Sequence, residues 1–288
     1  MSTMPKVLLG TLALNEMEWL SRLYTQHKDW PGLVRWVFVE GCDAAYARAN
    51  PDLSTPEGFS IDGTSDLLAD LARGDDRVRY VRQGMTEGRE PAQTKCLMRQ
   101  KYLDVANEVR PGVVVTLDAD EFYTNEHQAR IASLTFHQRY AGSIFHRREI
   151  WRPPSISGLP LFGHEVVGGF WNIPCCHWWR WHLGMCYRGN HNTPEVNGVS
   201  LGGRFTRYDR VKGAPEMVHL GFAATERMRV AKNHYYQERG EGRTDFRQWY
   251  VESRASWLNW KLGDPLPHGA LVREYDGPVP EVFQERGA

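Results

Sequence analysis

Apolar positions along the chain fall into short unbroken runs, and between them the apolar residues recur at helical spacing. The run from Lys6 to Leu14 is strand-length and predicts a first buried strand. Trp19, Leu20, Leu23 and Tyr24 then repeat at helical spacing between Glu16 and Asp29, with Asn15 as N-cap and Pro31-Gly32 as the stop. Leu33 to Val39 predicts a second strand, ending in Glu40-Gly41-Cys42-Asp43, so the opening is a βαβ unit with a right-handed crossover. Residues 44–62, rich in Ala, Pro, Ser and Asp, predict a long connection. A short helix over 65–73, a strand over 77–82, a turn-rich loop over 84–91 and a helix over 92–109 follow. The first 125 residues or so therefore predict a doubly wound α/β half.

Beyond residue 125 the pattern becomes irregular. It predicts a helix over 128–140, a strand over 143–151 leaving the sheet, and a Pro- and Gly-rich stretch over 152–175. An aromatic, His- and Cys-dense segment covers 176–187, and turns with short strands cover 188–212. A short strand is expected over 217–222, helices over 225–239 and 245–262, and a Pro-rich wrapping tail from Asp264. Residues 1–125 and 126–288 are expected to be two halves of one domain.

The predicted strand at Val113 to Leu117 leads directly into Asp118-Ala119-Asp120-Glu121. A buried strand that ends in acid is unusual, because carboxylates are rarely buried unless paired or bound to a cation. If the chain stays extended, Asp118 and Asp120 point to one side. A divalent cation would offset their mutual repulsion, at the strand end where open α/β sheets place ligands. Glu121 would face the other way, which suits a structural or supporting role. The plainer alternative is a turn or helix cap that happens to be acidic.

Lys+Arg and Asp+Glu each number 35, so net charge gives no bias toward nucleic acid or acidic membranes. An odd count of five cysteines argues against a disulfide framework and fits a reducing, cytoplasmic setting. The chain shows no signal-peptide pattern and no apolar run long enough to span a membrane. No GxGxxG follows the first strand, which disfavours a dinucleotide cofactor.

The segments LALNEMEWL (12–20), LDADEF (117–122), MVHLGF (217–222) and KNHYY (232–236) together resemble the GT-A glycosyltransferases, family-2-type members or their relatives. The resemblance covers residues 5–125 and, more loosely, 188–240. It implies a GT-A, Rossmann-like mixed sheet with helices on both faces and an irregular acceptor-side C-terminal half. It also implies a nucleotide-sugar donor, UDP-linked, held through Mn²⁺ or Mg²⁺. In that family's pattern Asp120 would be the direct metal ligand, Asp118 would meet the ribose or the metal through water, and His219 would be the third ligand. Imidazole suits Mn²⁺ better than Mg²⁺. Leu14, Asn15 and Glu16 would line the donor pocket. Glu40 stands where the family usually has a base-reading Asp, with Asp43 close by. Asp62 would belong to a base-side loop or cap a helix. Lys95 and Arg99, one helical turn apart, would reach the diphosphate or form a solvated face.

An inverting transfer needs a general base near the acceptor hydroxyl. The Glu-Asp pair common in the family is missing here, which leaves Glu165 and Glu195 as candidates. Cys175, Cys176, His177, His182 and Cys186 have the composition of a zinc site but lack Cys-x-x-Cys spacing. The Trp178-Trp179-Arg180-Trp181 stretch predicts either an acceptor-facing aromatic wall or a packed core, and His191 is a further ligand or acceptor contact. The acceptor classes left open are a glycan, a small molecule and a modified DNA base. Two rival classes are a nucleotidyltransferase, against which the missing Gly-rich basic loop counts, and a non-catalytic glycan- or nucleic-acid-binding module.

Overall fold

The computed structural model describes residues 4–87, 91–133, 141–151, 161–167, 175–188, 192–202, 205–207, 213–223 and 271–284. Strand β1 (Val7–Ala13) feeds helix α1 (Met17–His27), which returns to β2 (Leu33–Asp43). A short helix α2 (Ala44–Ala49), helix α3 (Thr64–Gly74), strand β3 (Val78–Thr86), helix α4 (Pro91–Val109) and strand β4 (Val113–Thr116) complete the regular half. β1 pairs in parallel with β2 and β4, and β2 pairs in parallel with β3, giving the order β3-β2-β1-β4. This is the strand order of a doubly wound α/β half, the kind of half the sequence pattern predicts.

Alternation along β1 shows why both faces are covered. Val7 and Leu9 join one core with Trp19, Leu20 and Leu23 of α1 and Leu68 of α3. Leu8 joins the other core with Met98, Tyr102, Leu103 and Ala106 of α4. Side chains that alternate on a strand must find a buried partner on each side, so both faces carry helices. Gly10 sits where α4 comes closest: a Cβ there would lie 2.5 Å from ring atoms of Tyr102.

Two elements run longer than their sequence pattern. β2 continues to Asp43 and β3 to Thr86, because Gly41 pairs with Gly84 just past a register shift. A Cβ on Gly41 would meet the Gly84 carbonyl oxygen at 2.5 Å, so only glycine permits that approach. The expected loop over 84–91 thus begins as strand. The expected connection over 44–62 contains α2, whose first turn Asp43 caps through the Ala45 N–H at 2.8 Å.

The irregular half completes the same sheet. After β5 (Glu121–Phe122) and helix α5 (Asn125–Ser133) come β6 (Gly142–Trp151), β7 (His164–Val167) and β8 (Cys175–Arg180). β6 does not leave the sheet as its sequence suggested. β8 inserts antiparallel between β4 and β6, and the far end of β6 pairs with β7. A three-stranded sheet of β9 (Met185–Cys186), β10 (Glu195–Val196) and β11 (Val199–Ser200) follows, and Met185, Tyr187 and Leu201 around it pack with the α4 side of the core. β12 (Phe205–Arg207) and β13 (Glu216–Phe222) pair in parallel with β6, and β13 also pairs with β5. β14 (Leu271–Glu274) adds to β7.

The tail wraps as expected: Phe283 packs edge-on to Phe122 with centroids 4.9 Å apart. Glu281 accepts from Gln26 Nε2 at 2.6 Å. Trp178 and Trp179 on β8 are buried in the core, so of the two roles open to them packing is the one observed. The helices expected over 225–239 and 245–262, the end of the one over 128–140, and His191 lie outside the described residues. So do the side chains of Cys175, Cys176 and His177. No helix among the described residues is long and apolar enough to cross a membrane.

Candidate functional site

In a sheet ordered 3-2-1-4 the strand order reverses between β1 and β4, and a crevice opens at the carboxyl ends of the strands there. Leu14-Asn15-Glu16 follows β1 there, and Asp118-Ala119-Asp120 follows β4. The acidic stretch is not extended. β4 stops at Thr116, and the Glu121 N–H closes a turn onto the Asp118 carbonyl at 3.0 Å. Strand alternation therefore does not set the directions of Asp118 and Asp120, and the two have separate partners.

Asp120 faces His219. His219 Nε2 lies 3.4 Å from Asp120 Oδ2, and the Leu220 N–H anchors the Asp120 carbonyl at 2.8 Å. The other ring nitrogen, Nδ1, is 2.5 Å from Glu149 Oε2. Sheet register explains the line. On β13, His219 stands opposite Glu121 of β5 on one side and Glu149 of β6 on the other, so these three side chains share one face. Glu149 is 1% exposed and lies 2.6 Å from Arg147 Nε, the next residue on that face. Burial alone would lower the His219 pKa, but the carboxylates of Glu149 and Asp120 outweigh it and raise it well above the usual value.

Asp118 faces α4. Its carboxylate lies 3.3 Å from the guanidinium of Arg99, a buried arginine that also donates to Asn192 Oδ1 at 3.1 Å. Lys95 is half-buried one turn before Arg99 on the same helix. Glu121 folds back so that its carboxylate accepts the Asp118 N–H at 2.8 Å. Burial, reinforced by the charge of Asp118, pushes the Glu121 carboxyl up to about 8.

The remaining predicted donor contacts form a second, self-contained cluster. Asn15 has φ of 56°, a conformation asparagine tolerates, and three hydrogen bonds hold it there. Its N–H donates to Ser60 Oγ at 3.0 Å, its amide to the Leu53 carbonyl at 2.6 Å, and its Oδ1 accepts from Ile61 N–H at 3.0 Å. Glu16 begins α1 and donates its N–H to Thr64 Oγ1 at 2.9 Å. Asp62 caps two helices, taking the Met17 N–H and the Thr64 N–H at 3.0 Å each. Glu40, fully buried, accepts from Ser60 N–H at 2.9 Å, from the Ser65 hydroxyl at 2.6 Å, and from the Tyr80 hydroxyl. These polar groups shape the floor beside the crevice by binding one another.

The two candidate bases separate. Glu165 pairs in register with Ile150, the neighbour of Glu149, so it lies on the opposite face of the sheet from His219. It is 1% exposed and bound by Arg148 at 2.9 Å and Arg273 at 2.6 Å, so its lone pairs are committed. The structure therefore does not bring Glu165 to the crevice. Glu195, half-buried on β10, belongs to the segment that reaches Arg99 through Asn192, and its charge acts on Cys96 of α4.

Asp120 and His219 fit one divalent cation. Two atoms that share a cation at about 2.1 Å lie roughly 3 Å apart when the angle between them is near 90°. A ligating histidine is ordinarily held through its other nitrogen by a carboxylate, as Glu149 holds His219. Among the described residues no group of three or more His, Cys, Asp or Glu side chains is gathered to hold a metal. Mg²⁺ or Mn²⁺ ordinarily takes its remaining ligands from water and substrate phosphate. Cys186 is a free thiol. Sequence reasoning missed Glu149, Arg147 and Asn192. A signal for the first two was present, since Arg147 and Glu149 are opposite charges two apart in a strand flanked by apolar residues (IFHRREIW, 144–151), which puts them on one face as a pair.

No family description matches the chain. No curated protein matches it either. Among solved structures it is similar to mannosyltransferase PcManGT from Pyrobaculum calidifontis in complex with GDP-Man and Mn²⁺, at 17% identity over 52% of this chain and TM-score 0.32; the chain spans 36% of that protein's length. A 4-diphosphocytidyl-2C-methyl-D-erythritol synthase matches at 14% identity over 61% of this chain and 75% of that one, TM-score 0.36. S. aureus TarS in complex with UDP-GlcNAc matches at 12% identity over 81% of this chain and 66% of that one, TM-score 0.39. At these distances the architecture is established by the strand order of the chain itself.

Proposed function

We propose that this chain is a metal-dependent glycosyltransferase that moves a sugar from a nucleotide-sugar donor, UDP-linked, to an acceptor hydroxyl with inversion. One observation carries the reading. At the carboxyl end of β4, beside the end of β1, Asp120 and His219 face each other at 3.4 Å with the far ring nitrogen already taken by Glu149. A cation bound between them would act as a Lewis acid on the departing diphosphate. In the reaction the acceptor oxygen bonds to the sugar C1 as the bond from C1 to the diphosphate oxygen breaks, and the electron pair leaves with the nucleoside diphosphate. Arg99 and Lys95 on α4 supply positive charge toward that leaving group. Asp118, set by Arg99, contacts the ribose or a metal-bound water. Glu195 takes the proton of the acceptor hydroxyl. Leu14, Asn15 and Glu16 edge the donor pocket, while Glu40 and Asp62 keep its loops in shape. The acceptor is a glycan, a small molecule or a modified DNA base.

The test is a screen of nucleotide-sugars with Mn²⁺ for release of free nucleoside diphosphate, run on the wild type and on Asp120→Asn. At least one donor should be turned over by the wild type, and the variant should lose at least about 100-fold. If no donor is consumed and no nucleoside diphosphate shifts the melting temperature with Mn²⁺ present, the proposal fails.

A further inference from the structure

We propose that Glu149 is a positioning residue that fixes the His219 ring with Nε2, rather than Nδ1, toward Asp120, and so makes the site prefer Mn²⁺ over Mg²⁺. The inference rests on the reading above only insofar as a cation binds at Asp120. Three observations support it. Glu149 Oε2 sits 2.5 Å from His219 Nδ1, so that nitrogen carries the shared proton and Nε2 points at Asp120. Glu149 is buried on the strand next to β13 at the position in register with His219, so backbone pairing and not a flexible loop sets its approach. Arg147 Nε lies 2.6 Å from the other carboxylate oxygen, an ion pair that holds Glu149 from the far side.

The resulting line is Arg147, Glu149, His219, Asp120. A carboxylate that orients a ligating imidazole also raises its basicity, and losing such a partner typically weakens metal binding about 10–100-fold. Both ions favour oxygen ligands, but Mn²⁺, a transition-metal ion, accepts an imidazole nitrogen more readily than the harder Mg²⁺, which keeps its waters. The effect of Glu149 should therefore fall on Mn²⁺ selectively.

The experiment measures Mn²⁺ binding by electron paramagnetic resonance, with and without UDP, and Mg²⁺ binding by competition. It compares the wild type with Glu149→Leu and Glu149→Gln, each checked for folding by circular dichroism. The expected result for Glu149→Leu is Mn²⁺ affinity lower by about 10–100-fold, with Mg²⁺ affinity changed less than about threefold. Glu149→Gln keeps an acceptor for Nδ1–H but loses the charge, so a smaller Mn²⁺-selective loss, about threefold or more, is expected. If Glu149→Leu does not fold, Glu149→Gln decides alone. Wild-type Mn²⁺ affinity in either folded variant overturns the inference. So does an equal loss for both metals, which would mark a merely structural role, and so does a wild type that takes up Mn²⁺ under neither condition. Donor turnover is scored separately. Mn²⁺ binding that depends on Glu149 without any sugar transfer would sink the transferase reading and leave this one standing. Transfer with Mn²⁺ binding indifferent to Glu149 would do the reverse.

Discussion

Glu165 invites a direct test, because a glutamate in that part of the chain is a natural candidate for the general base and the structure gives it other work. Its carboxylate takes the Arg148 guanidinium at 2.9 Å and Arg273 at 2.6 Å while being 1% exposed, across the sheet from His219. Glu165→Gln keeps the shape and removes the charge. Breaking a buried ion pair by neutralising one partner costs about 3–5 kcal/mol. Two features pull the figure to the lower end. Arg273 is half exposed, so water screens its share. Arg148 also keeps Glu216 at 3.1 Å as a second partner. A loss near 3 kcal/mol corresponds to a melting temperature lower by roughly 5 °C for a chain of this size. The assay is thermal unfolding followed by circular dichroism, paired with donor turnover at a temperature where the variant is still folded. The expected outcome is clear destabilisation with turnover per folded molecule within about threefold of wild type. A variant that melts within about 1 °C of wild type, yet has lost turnover, would refute the assignment and make Glu165 the base.

Two further outcomes follow from the packing and the buried charges. Gly10→Ala places a methyl 2.5 Å from the Tyr102 ring, so α4 or the ring must move; a loss of about 1–3 kcal/mol is expected by denaturant titration, and a loss under about 0.5 kcal/mol would mean that α4 is loosely docked. Glu121 has its carboxyl raised from 4.5 to about 8 by burial and by Asp118, so the folded state holds a proton that the unfolded state releases above 4.5. Stability from this group is therefore full below pH 4.5, declines as pH rises through 8, and is level above. Glu121→Gln, which mimics the neutral form, should gain on the wild type between pH 5 and pH 8 in metal-free urea titrations. A constant gap across that range would show that Glu121 is ionised in the fold.

The sequence by itself determined the regular half of this protein. Short apolar runs alternating with helical spacing define β1, α1, β2, α3, β3, α4 and β4 within a few residues, because in these elements period and length are local properties. It also marked the acids at the end of β4 and a lone histidine in the late strand MVHLGF, since charge at the end of a buried strand and an imidazole within an apolar one stand out from their surroundings.

Only the tertiary structure decided how these parts are used. β6 reads locally as a strand, but its place between β8 and β7 and its parallel register with β13 come from pairings up to about 70 residues apart. That register, and no local pattern, puts Glu149 beside His219 and sends Glu165 to the opposite face. Glu40 and Asp62 look alike in the sequence as strand- and loop-end acids, yet the fold fills Glu40 with Ser60, Ser65 and Tyr80 and gives Asp62 two helix N-termini. A carboxylate is available for chemistry only when the fold leaves its lone pairs uncommitted. That depends on donors brought from distant segments, and strand pairing is what brings them.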